Sequence, residues 1–97
     1  MSKIFVNQTK LTLTLDIQDD LTNVTTALIK YINPNGTTGD FIATIDVPTK
    51  RISYVVSSTN DINVVGSWKL WAHLTYNDGK EIAGQASPMV VYKEGTL

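Results

Sequence analysis

Gly66-Ser67-Trp68-Lys69-Leu70-Trp71-Ala72-His73-Leu74-Thr75-Tyr76-Asn77-Asp78-Gly79 is the stretch that decides the fold. Trp68, Leu70, Ala72, Leu74 and Tyr76 are apolar or amphipathic, and Ser67, Lys69, His73 and Thr75 between them are polar. Alternation with period two marks a strand that buries one face. Gly66 opens it and the turn Asn77-Asp78-Gly79 closes it. Trp71 breaks the pattern, because the alternation that buries Trp68 turns Trp71 outward.

The same period recurs on both sides of this stretch. Leu11, Leu13, Leu15 and Ile17 alternate with Thr12, Thr14 and Asp16. Over Thr25 to Ile32, a solvent-facing Lys30 places Ala27, Ile29 and Tyr31 inward and Leu28 and Ile32 on the outer face. Phe41, Ala43, Ile45 and Val47 form a further alternating run, and Ile52, Tyr54 and Val56 another. Ile4-Phe5-Val6 reads as a short edge strand. Glu81 to Gln85 and Met89 to Tyr92 read as a last arm, in which Pro88 marks an edge, a bulge or a change of sheet. Asn33-Pro34-Asn35-Gly36 and Tyr76-Asn77-Asp78-Gly79 share one turn chemistry, with glycine at the left-handed position. Gln18 to Asn23 reads as a polar loop in which Asp20 or Thr22 caps a short helical turn. Ser57 to Val65 reads as a connection whose Ile62, Val64 and Val65 plug one end, again through a helical turn. About seven short strands with turn signals between them give an all-β two-sheet antiparallel sandwich in one domain, residues 1–97, ahead of a closed barrel.

Composition narrows the function classes. The chain has 97 residues, a formal charge of −1 and no cysteine. Disulfides, thiolate catalysis and sulfur-ligated metals are excluded, and the chain is compatible with assembly in a reducing cytoplasm. The charge offers no basic face for nucleic acid, and no apolar run approaches the ~20 residues of a membrane-spanning helix. The opening residues hold no apolar leader stretch.

Chemistry-bearing patterns are sparse. His73 is the one histidine and lies on the polar face of its strand, without a nucleophile or orienting acid placed by the sequence. Asp16, Asp19 and Asp20 lack the spacing of a calcium loop and read as turn residues. No glycine-rich phosphate cradle opens a helix. The expectation is therefore no enzyme, no cofactor and no metal. Trp71 either packs against a neighbouring strand or the segment near Val64, or anchors a protein partner. Leu28, Ile32, Ile42 and Val55 are expected to share its outer face. Lys69, Trp71 and His73 on that face, and Ile4, Phe5 and Val6 as an edge open to strand addition, are the candidate interface.

The order of signals resembles the immunoglobulin-like domain family of tailed bacteriophages, typified by the N-terminal domain of the baseplate upper protein. The residues that carry it are Ile4 to Thr9, Asp20-Leu21-Thr22-Asn23-Val24-Thr25, Lys30 to Thr37, Ile52-Ser53-Tyr54, Gly66 to Leu70 and Val91-Tyr92. The resemblance implies an immunoglobulin-like sandwich and a non-enzymatic virion protein, assembled in the host bacterial cytoplasm. A stand-alone copy fits an auxiliary or decoration protein of the capsid, with a neck, tail or baseplate adaptor as the alternative. Implied partners are the major capsid protein or tail and baseplate components, or further copies of the chain, with neither nucleic acid nor membrane. A carbohydrate- or host-surface-binding module built on Trp71, His73 and Tyr76 is the remaining alternative.

Overall fold

The structure, a computed structural model, describes residues 3–97. Among these, nine strands form and no helix. They are β1 (Ile4–Phe5), β2 (Leu11–Asp16), β3 (Val24–Ile32), β4 (Thr38–Ile42), β5 (Thr44–Asp46), β6 (Arg51–Val56), β7 (Gly66–Tyr76), β8 (Glu81–Ala83) and β9 (Ser87–Tyr92). The larger sheet runs β1-β9-β7-β3-β4, with β8 also against β7, and the smaller runs β2-β6-β5. The two-sheet, immunoglobulin-like sandwich holds. The strand count rises from seven because two runs split. The antiparallel rule has one exception, since β1 enters parallel to β9 with Ile4 beside Val91.

The opening stretch is β7, the centre of the larger sheet. Trp68, Leu70, Ala72 and Leu74 are buried, as their alternation requires. They meet Ala27 and Ile29 of β3, and Leu13, Ile52 and Val56 of the smaller sheet, in one core. Tyr31, Phe41 and Tyr54 form an aromatic stack across it, with Phe41 and Tyr54 at 4.6 Å and 8°.

The two turns share one geometry. Gly36 N–H donates to the Asn33 carbonyl and Gly79 N–H to the Tyr76 carbonyl, and both glycines have positive φ (82° and 86°). A second bond closes each turn, from Asn33 to Thr37 and from Tyr76 to Lys80. Glycine takes this left-handed position without a Cβ clash.

The run from Phe41 to Val47 is not one strand. It leaves the larger sheet after Ile42 and enters the smaller one at Thr44, with Ala43 N–H bonded to Ala27 O at the crossing. A step between sheets leaves Ile42 77% exposed although its neighbour Phe41 is buried. Gln18 to Asn23 holds no helical turn. The Asp20 carboxylate accepts from the amide and the hydroxyl of Thr22, forming a side-chain turn. Leu21, inside this polar loop, is fully buried. Pro88 lies where β9 is the border of the sheet, since β1 reaches only Val91 and Tyr92.

Ser57 to Val65 does plug one end, but by turns rather than a helix. Ile62 is fully buried, Val64 packs on the core and Val65 stays exposed. The Tyr54 hydroxyl donates to Asp61 Oδ2 at 2.7 Å. That bond, and secondly burial, hold the phenol above its ordinary 10.0. A folded value above the unfolded one contributes stability that is present below pH 10 and is lost as pH rises through the folded value. Titration followed by tyrosinate absorbance is expected to show a phase above pH 10 that Tyr54→Phe removes. An unchanged curve in the variant would contradict the bond.

Candidate functional site

Lys69, Trp71 and His73 stand on the outer face of the larger sheet, at alternate positions of β7. Across the strand pair they face Ile32, Lys30 and Leu28, and Ile42 lies beyond Leu28 on β4. Trp71 is half-buried by these neighbours. The segment near Val64 does not cover it, because the Val64 carbonyl accepts from Trp68 Nε1 at 2.9 Å. Val55 is not part of this face. Its register partner is Thr12, which places it outside the smaller sheet. His73 Nε2 lies 3.1 Å from Glu81 Oε1. Among the described residues no three His, Cys, Asp or Glu side chains come together as a metal site. Tyr76 packs on the core, so Trp71, His73 and Tyr76 do not form one stacking platform.

The edge offered by Ile4, Phe5 and Val6 is already used. Phe5 N–H donates to the Gln8 side chain, Val6 N–H to Tyr92 O and Asn7 N–H to Ile62 O. The Ile4 and Val6 side chains pack on the core. Local pairing has taken the donors that an added strand would need.

β4, β5 and β2 each end a sheet with one partner, and β2 is the one that borders a cleft. Among the described residues β2 pairs with β6 alone. Ile17 N–H donates to Lys50 O. In an antiparallel pair the bonded positions alternate, so residues 11, 13, 15 and 17 address β6. The amides and carbonyls of Thr12, Thr14 and Asp16 point away. Facing this edge across the sandwich is the border formed by β8, the link through Gly84 to Ala86, and the start of β9. Between the two borders runs a cleft of about 850 Å³. Leu13, Leu15, Leu70, Leu74, Ile82 and Met89 give it apolar walls. Ile82 pairs with buried Leu74 and so faces inward, yet it is 49% exposed. The charged residues that line the cleft are Asp16 and Asp19.

Sequence reasoning placed the candidate interface on β7 and β1 and passed over β2 and Ile82. Leu11-Thr12-Leu13-Thr14-Leu15 has no lysine, proline or inward charge, the devices by which sheets guard an open edge. Which strand becomes an edge depends on sheet order, and β2 itself resembles any half-buried strand.

No protein-family model and no curated protein matches the chain. Among solved structures it is similar to CopC from Methylosinus trichosporium OB3b, with a TM-score of 0.60 and 15% identity, over 100% of this chain and 90% of that one. A likeness at this identity shows a shared sandwich fold. It overturns the phage reading, because the fold match is to CopC and not to a virion domain. The capsid, neck, tail and baseplate roles, the virion localisation and the host-surface alternative fall with it. The motifs that carried the phage resemblance, Pro34-Asn35-Gly36 and Gly66-Ser67-Trp68 among them, specify chain reversal and core packing. Sandwiches of unrelated function need the same residues.

Proposed function

We propose that this chain is a non-enzymatic polypeptide-docking module whose open seam receives an extended strand along β2. The observation that carries the reading is the conjunction of outward backbone groups at Thr12, Thr14 and Asp16 with the cleft beside them, where Ile82 is exposed and Leu15 half-buried. Strand addition uses both at once. Main-chain bonds give affinity, and alternate side chains fill the cleft. The six residues of β2 span about 20 Å, enough for three inward side chains of a guest strand.

Thr14→Pro tests the reading without disturbing the sandwich. It removes an amide that points away from β6, and proline is tolerated on an edge. Selection of a displayed random decapeptide library on the immobilised protein is expected to recover alternating apolar peptides. Their binding is expected to weaken roughly tenfold or more on the Thr14→Pro protein. Recovery of no peptides, or of peptides indifferent to the substitution, would overturn the reading.

A further inference from the structure

We infer that the strand received along β2 is the β2 strand of a second copy, in a two-fold antiparallel pair centred on Leu13. This inference rests on the docking reading above and names its occupant.

The sequence of β2 is self-complementary. Reversed about Leu13, Leu-Thr-Leu-Thr-Leu reads the same. Pairing Leu13 with its own copy sets Leu11 opposite Leu15 and Thr12 opposite Thr14. The outward backbone groups lie on Thr12 and Thr14, so this register joins them as bonded pairs, while a shift by one residue would not. All leucines then fall on the cleft side and all threonines on the other. Threonine and apolar pairs of this kind are favourable cross-strand neighbours. A two-fold interface requires such self-complementarity, because each residue meets the partner position that meets it.

Charge points to the same register. Lys10 precedes β2 and Asp16 ends it. Lys10 has positive φ (57°) and its N–H is bonded to Val56 O, so it lies just outside the ladder, and pairing about Leu13 brings it to the Asp16 end of the other copy, twice by symmetry. Asp16 stands opposite Arg51 within its own sheet, and among the described residues no salt bridge engages it. The pairing joins the two smaller sheets into one of six strands. The leucines stay packed in their own cores, so this occupant uses the main-chain half of the docking reading, and the two clefts lie on the same side of the joined sheet.

Sedimentation equilibrium of the full chain, from micromolar to about millimolar concentration, tests this. The expected mass rises from 10.7 kDa toward twice that value. Thr14→Pro is expected to remain monomeric, with circular dichroism unchanged. Lys10→Glu and Asp16→Lys are each expected to weaken the dimer about tenfold, and the double exchange to restore it. These surface exchanges keep the inference falsifiable should the proline variant misfold. A monomer throughout the range, or a dimer indifferent to the charge exchanges, overturns the inference. Monomeric protein that still selects peptides sensitive to Thr14→Pro overturns the second copy as occupant and leaves the docking reading standing. A monomer that selects none removes both.

Discussion

Trp68→Ala is expected to cost about 3–5 kcal/mol of stability, the range for deleting a large buried aromatic side chain. Trp68 is fully buried near the start of β7. Its ring is tilted against Tyr31 at 5.2 Å between centroids, and its indole N–H satisfies the Val64 carbonyl. Alanine removes all three contributions: the buried area, the aromatic contact and the hydrogen bond. A domain of this size has about 5–15 kcal/mol in total, so the variant is expected to unfold at a guanidinium concentration far below that of the parent. Its Tm is expected to fall by roughly 12–30 °C. Trp71→Ala is the internal control. The same residue type, three positions later and half-buried on the outer face, is expected to cost less than about 1 kcal/mol. Equal losses at the two sites would contradict the assignment of inner and outer faces.

Ile62→Ala is expected to cost about 2–5 kcal/mol, although Ile62 lies outside every strand. The reason is that its segment cannot collapse around the missing volume. The Ile62 carbonyl holds Asn7 N–H at 2.7 Å, and Asp61 is tied to Tyr54. With both flanks fixed, the lost methyl groups leave a cavity rather than a shifted loop. Thermal unfolding measures the loss, and hydrogen exchange at the Asn7 amide reports whether the plug has loosened. A cost under 1 kcal/mol would show that the segment follows the core passively and does not seal it.

The contrast between Ile62 and the alternating strands shows why some of the fold is legible in the sequence. In Leu11 to Ile17 and Gly66 to Tyr76 the chain geometry itself sorts side chains to opposite faces. Composition along the strand therefore states the answer. The two glycine turns are legible for a related reason, since positive φ restricts the residue type locally. Leu21 and Ile62 follow no such rule. Each is a lone apolar residue in a polar segment, and its burial depends on where the flanking strands leave a gap. The Phe41 to Val47 run misleads because alternation continues unbroken while the chain steps from one sheet to the other. Period two reports the face of a strand and carries nothing about which sheet contains it.

The candidate site divides along the same line. The sequence by itself determined the class of fold, the inner and outer faces of β7, the outward Trp71 and the place of His73 on that outer face. Only the tertiary structure decided which edge is open. It showed Phe5, Val6 and Asn7 spending their amides within the chain, and β2 as a sheet edge that borders a cleft. Hydrogen-bond saturation at an edge is a property of sheet order, which arises from contacts between residues far apart in the chain. Alternation within a strand arises from the covalent backbone, and so it is written in the sequence.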